Sequence, residues 1–84
     1  FEVHNRATVF MNLVSLVPDI PSVLYLHNVP QTIKGLKTAS ERARVLEKAS
    51  AIVCCSSWVK QRFCEGLSGD FSKLHVVVNG VPRP

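Results

Sequence analysis

Two stretches restrict the fold of this chain more than any other feature. Val23-Leu24-Tyr25-Leu26 and Ala51-Ile52-Val53-Cys54-Cys55 are unbroken apolar runs bounded by polar or turn-forming residues. Runs this short suit β-strands, and continuous apolarity suits strands covered on both faces, as in a parallel sheet. Parallel neighbours cannot be joined by a tight hairpin, so a crossover segment is expected between them.

The intervening sequence supplies helices. Phe1 to His4 reads as a short strand, after which Asn5 is placed to cap a helix. In that helix Val9, Phe10, Leu13, Val14, Leu16 and Val17 recur at helical spacing, with Thr8, Asn12 and Ser15 on its wetter side. Pro18-Asp19-Ile20-Pro21 ends it in a turn. A loop from Asn28 to about Lys37 contains Pro30 and Gly35, and Thr38-Ala39-Ser40-Glu41 then forms a capping box. The helix it opens runs to about Ala49. Ala39, Ala43, Leu46 and Ala49 give it a narrow face for packing on a sheet, while Glu41, Arg44 and Glu47 give it a charged, solvated face.

Ser56 or Ser57 caps a further helix in which Val59, Phe63 and Leu67 fall four apart, ended by Gly66 and Gly69. Leu74 to Val78 is the last strand, and Asn79-Gly80 turns the chain out. The order is βαβαβαβ, with no internal repeat or low-complexity tract. Alternation at this spacing predicts right-handed crossovers and a Rossmann-like α/β architecture, a parallel sheet sandwiched between helix layers. Residues 1–80 form one partial domain and 81–84 begin a linker. The chain opens at Phe1 inside a strand and closes on Val81-Pro82-Arg83-Pro84, so both ends read as cut from a larger cytoplasmic α/β enzyme.

Composition narrows the function classes. Ten Lys and Arg against six acids give a net charge of +4, spread along the chain without a basic run. That pattern lacks the basic stripe and aromatic platforms of a nucleic-acid binder. Only Lys34, Lys37, Arg42 and Arg44 come near one another, most simply as a solvated surface, alternatively as a face toward anionic lipid or a phosphorylated substrate. Cys54, Cys55 and Cys64 have no metal-like spacing and read as small hydrophobes in a reducing compartment. Residues 7–17 carry Asn12 and Ser15 and have no cleavage pattern after them, which fits a helix and not a signal peptide. No segment is long and apolar enough to span a membrane.

In an open parallel sheet, ligands bind beyond the carboxyl ends of the strands. Those ends run into His4-Asn5-Arg6, His27-Asn28, Ser56-Ser57 and Asn79-Gly80, four polar groups along one edge. Asn5 and Ser56 are adequately explained as helix caps and Asn79-Gly80 as a turn, while His75, Tyr25 and Trp58 read as edge or packing residues. Capping does not ask for histidine, so His4 and His27 stand out. A neutral imidazole there is able to hydrogen-bond a hydroxyl such as a sugar's, and a protonated one is able to stabilise a phosphate leaving group. Gly-rich phosphate loops, a nucleophile elbow, a clustered metal set and strand-end carboxylates are all missing from the sequence.

The segments LYLHN (Leu24 to Asn28), AIVCCSSWVKQRF (Ala51 to Phe63) and LHVVVNGVPRP (Leu74 to Pro84) resemble, in order and spacing, the N-terminal domain of family 4 glycosyltransferases of the GT-B fold. VHNR, at Val3 to Arg6, is similar to a strand and helix start in bacterial members. The resemblance implies transfer of a sugar from a nucleotide-sugar to a glycan or lipid acceptor, in a cleft between two Rossmann-like domains. It implies no cofactor beyond the donor substrate, no metal and no nucleic-acid partner. It matches His27 to a strand-end histidine beside the reacting sugar, the catalytic candidate. His4, Asn5, Arg6 and Asn28 would line the acceptor side. Ser56 and Ser57 match a helix start that favours an anion, and Asn79 and Gly80 the exit toward the hinge.

There are departures from the family pattern. Cys55 stands where valine is commoner, and Pro82-Arg83-Pro84 replaces an acidic residue. The family's glycine-rich loop and its C-terminal donor domain with paired glutamates are not in this stretch, so the piece is expected not to turn over alone. The implied setting is cytoplasmic, peripheral at the inner membrane, in polysaccharide or glycolipid synthesis. Two other classes share the pattern: a non-catalytic flavodoxin-like binding or regulatory module, and a nucleotide-sugar epimerase of similar fold.

Overall fold

The computed structural model describes residues 1–77; Val78, the Asn79-Gly80 turn and the linker at 81–84 lie outside the described residues. The elements are β1 (Glu2–His4), α1 (Ala7–Leu16), β2 (Val23–Leu26), a 3₁₀ turn (Pro30–Thr32), α2 (Ala39–Lys48), β3 (Ala51–Cys54), α3 (Ser57–Cys64) and β4 (Leu74–Val76). All neighbouring strands pair in parallel, in the order β1-β2-β3-β4. The Rossmann-like α/β class expected from the alternation is the one observed, and β2 coincides with its apolar run.

Among the described residues the helices lie over one face of the sheet, where helix layers on both were expected. When consecutive parallel strands are laid down in sequence order, every right-handed crossover returns over the same face of the sheet. Burial follows suit: Val3, Leu24, Leu26, Ile52, Cys54 and Leu74 lie under the helices, while alternate residues Glu2, His4, Val23, Tyr25, Ala51, Val53 and His75 are half-buried or exposed. Phe10 of α1, Val45 of α2 and Phe63 of α3 fill the covered side. Each such side chain contributes about 1.5–3 kcal/mol relative to exposure.

The capping box forms as expected: Thr38 Oγ1 accepts from the Glu41 backbone N–H at 3.1 Å, and Glu41 Oε1 accepts from the Thr38 N–H at 3.1 Å. The buried face of α2, however, is Arg42, Val45 and Ala49, with Ala43 exposed. Arg42, expected on the surface, is 4% exposed and donates to the carbonyls of Leu36, Lys37, Phe63 and Glu65. Its fork therefore joins α2 to the preceding loop and to the end of α3. A second cation, Lys73, sits against the end of α2, its Nζ donating to the Leu46 and Glu47 carbonyls at 3.0 Å each.

α3 stops at Cys64, a turn earlier than the Val59, Phe63, Leu67 spacing suggested, because Gly66 takes φ +78. A Cβ there would meet the Ala39 methyl at 3.0 Å, so glycine also permits the close approach of α3's end to the start of α2. At the opposite edge of the sheet, Ser22 and Ser50 exchange bonds, the N–H of Ser22 donating to Ser50 Oγ at 3.0 Å and that of Ser50 to Ser22 Oγ at 3.3 Å. This link starts β2 and β3 together.

Candidate functional site

Because β1, β2, β3 and β4 are parallel, His4, His27 and Ser56 emerge on one carboxyl edge, as the sequence led us to expect. Pairing sets His4 opposite Tyr25, and His27, two residues beyond Tyr25, returns to the same face. β1 stops one step short of β2 at this edge, since Asn5 takes the left-handed conformation at φ 56, which Asn tolerates better than most residues.

Asn5 then serves β2 rather than α1. Its backbone N–H donates to the Tyr25 carbonyl at 2.8 Å, its Oδ1 accepts from the His27 N–H at 2.7 Å, and its Nδ2 donates to Asn28 Oδ1 at 2.7 Å. The side chain thus continues the strand ladder after the backbone has turned away. This corrects the expected role of Asn5 as a helix cap; the cap position belongs to Arg6, which makes no side-chain capping bond.

The two histidines meet. His4 Nδ1 and His27 Nε2 are 2.9 Å apart, with ring planes 7° from parallel and centroids separated by 5.1 Å. Stacked faces keep their atoms about 3.5 Å apart or more, so a contact this short is an in-plane N–H···N hydrogen bond between ring edges. His4 is also stacked on Tyr25, at 4.6 Å between centroids and 5° between planes. Its Nε2 lies 3.9 Å from a Glu2 carboxylate oxygen. On the other side of β2, Cys55 Sγ donates to the His27 carbonyl at 3.6 Å.

Of the candidate residues, His4, Asn5, His27 and Asn28 therefore form one bonded cluster. Arg6 is exposed at the start of α1, apart from these bonds. Ser56 caps α3, its Oγ accepting from the Val59 N–H at 3.1 Å, and Ser57 is exposed on the first turn. Asn79 and Gly80 lie outside the described residues. Glu2, Tyr25 and Cys55 belong to the cluster although the sequence did not single them out for it. Strand alternation pairs Glu2 with His4 and Tyr25 with His27, but only the register brings the two pairs together. Trp58, expected to pack, is 58% exposed at the start of α3. His75 is exposed on β4, matching its reading as an edge residue.

Cys54 fits its reading as a buried hydrophobe. Burial, reinforced by the neighbouring Cys64 and Cys55 thiols, pushes its pKa up to about 12. Burial also raises Cys64. Neither is a poised nucleophile. Two surface depressions, of about 310 and 300 Å³, lie away from the cluster: one over Leu46, Leu67 and Lys73, the other between α1 and α2 at Met11, Ser15 and Arg44. Neither depression is lined by a residue of the histidine edge. Among the described residues no group of three or more His, Cys, Asp and Glu side chains is arranged to hold a metal ion. No helix among them is long and apolar enough to cross a membrane.

Comparison with curated proteins and with solved structures gives no match. A sequence model of one family, described as Glycosyltransferase Family 4, matches residues 2–83. Nearly the whole chain, including every strand and helix that builds the histidine edge, falls within that match, and the chain belongs to glycosyltransferase family 4.

Proposed function

We propose that this chain forms the acceptor side of the cleft in an enzyme that moves a sugar from a nucleotide-sugar to a glycan or lipid acceptor, with the nucleotide-sugar held by a second, C-terminal domain. The observation that carries this reading is the hydrogen-bonded cluster of His4, Asn5, His27 and Asn28 on the carboxyl edge of a parallel sheet. Sugars present hydroxyls that need both donors and acceptors, and imidazole and carboxamide groups supply both. Departure of a nucleoside diphosphate builds negative charge, which an imidazolium or a helix N-terminus stabilises.

His27 stands at the reacting sugar in this reading. His4, Asn5, Arg6 and Asn28 line the acceptor side, with Ser56 and Ser57 at the anion-favouring start of α3 and Asn79 and Gly80 leading toward the hinge. The reaction runs on the cytoplasmic side, at the membrane surface when the acceptor is a lipid, where a net charge of +4 favours anionic headgroups. The test is sugar transfer by the full-length enzyme against a panel of nucleotide-sugars, wild type beside His27→Ala. A folded H27A protein is expected to lose about a hundredfold or more in kcat/KM. Transfer at the wild-type rate would return His27 to a structural role, and absence of any nucleotide-sugar binding would overturn the reading.

A further inference from the structure

We propose that His4 is a positioning residue that acts through His27: it fixes the plane and protonation pattern of the His27 ring, and is itself stacked on Tyr25 with the Glu2 carboxylate nearby. The proposal rests on the placement of His27 beside the reacting sugar and adds how that imidazole is kept in one state.

Three contacts converge on His4. Glu2 Oε1, 3.9 Å from Nε2, is too far for a direct hydrogen bond, but its negative charge lies at that end of the ring and favours the proton on Nε2 over Nδ1. In neutral His4 the other nitrogen, Nδ1, is then an acceptor. The 2.9 Å bond to His27 therefore takes its proton from His27 Nε2. Tyr25, stacked 4.6 Å from the His4 ring and 5° from parallel, opposes tilting of that ring out of its plane. His27 is fixed at its other end as well, through its backbone N–H on Asn5 Oδ1 at 2.7 Å. An imidazolium at His27 also carries a hydrogen on Nε2, so the same bond to His4 Nδ1 serves both forms of the ring. None of this requires His4 to touch the sugar.

Nuclear magnetic resonance of the full-length enzyme, ¹⁵N-labelled at histidine and held at a pH where both imidazoles are neutral, reads the bond directly. We expect long-range ¹H–¹⁵N correlations to show His27 protonated on Nε2 and His4 unprotonated on Nδ1, with a slowly exchanging His27 N–H. In His4→Asn the amide stands where Nδ1 stood, and the protected signal is expected to survive. In His4→Gln the amide lies at the Nε2 end, out of reach, and the signal is expected to disappear while the backbone spectrum stays folded. A wild-type His27 protonated on Nδ1, or a protected signal that persists in H4Q, would overturn the proposal.

In the transfer assay, H4Q is expected to lose about tenfold or more in kcat with KM changed less than about twofold, and H4N to recover most of that loss. A rise in KM with kcat unchanged would leave His4 only its place on the acceptor side, with no action through His27, and overturn the positioning role. Failure of the functional reading is separable: if H27A transfers at the wild-type rate, the role of His27 falls, and the protected Nε2–H alone decides whether His4 orients it.

Discussion

Replacing Arg42 with methionine removes a guanidinium that is 4% exposed and donates to four backbone carbonyls at 2.6–3.1 Å. The bonds to Leu36 and Phe63 include buried ones, whereas those to Lys37 and Glu65 are only partly buried, where water can substitute. A buried carbonyl left without a donor costs about 1–3 kcal/mol, so the Leu36 and Phe63 carbonyls together lose roughly 2–6 kcal/mol. Two effects reduce that figure: methionine keeps the volume of the arginine stem, and the guanidinium no longer has to be stripped of water. We expect a net loss of about 3 kcal/mol. Against the roughly 4–13 kcal/mol expected for 84 residues, that is a large fraction of the total.

Urea unfolding followed by circular dichroism measures it. With a slope of about 1–2 kcal/mol per molar, the midpoint should fall by about 1.5–3 M. Two companions separate the causes. Arg44→Met, on the exposed side of the same helix, should stay within about 0.5 kcal/mol of wild type. Arg42→Lys keeps the charge, but a single ammonium cannot span the 36–37 loop and the end of α3 at once, so most of the loss should remain. An R42M protein within about 1 kcal/mol of wild type, or an R42K protein matching it, would refute this account of the fork.

Cys54 should make the chain sensitive to alkali. Its folded pKa of about 12 exceeds the ordinary thiol value of 9.0, so the stability tied to its proton is full below pH 9 and lost as pH rises toward 12; Cys54→Val should flatten the decline in urea midpoint across that window, and an unchanged decline would count against it. Asn5→Ala leaves the His27 N–H without its 2.7 Å acceptor and places alanine at φ 56, so its melting temperature should fall by about 5–10 °C. Asn5→Gly should recover only the backbone share of that loss; full recovery by glycine would deny the side-chain bond any weight.

Much of the fold is legible because its signals are local. β2 follows from four apolar residues in a row, the start of α2 from Thr38 and Glu41 three apart, and the start of α3 from Ser56. What escaped the sequence depends on partners that carry no side-chain signature. Arg42 looks like any surface cation until four backbone carbonyls surround it. Asn5 looks like a helix cap, since Asn before a helix is the usual capping pattern, yet its side chain is bonded across to β2. Strand order is equally silent in the sequence. Alternating β and α segments specify crossovers but not which strand lies beside which, so the uncovered face of the sheet could not be foreseen.

That uncovered face also explains how the histidine cluster is assembled. His4 and Tyr25 point to the side of the sheet away from the described helices, and there the two rings stack on each other. Direct pairing of β1 with β2 sets the stack, and the one-residue excess of β2 at the carboxyl end carries His27 past His4 far enough for their ring edges to bond. Had β1 continued, its backbone would have taken the His27 N–H; because it turns at Asn5, the carboxamide takes that bond and also ties down Asn28. A one-residue register shift between β1 and β2 would move Tyr25 off the His4 face and break the imidazole pair in the same step. The cluster is thus a consequence of strand pairing, and a mutation that loosens the register, wherever it lies along β1 or β2, should disturb the His4–His27 bond before it unfolds the domain.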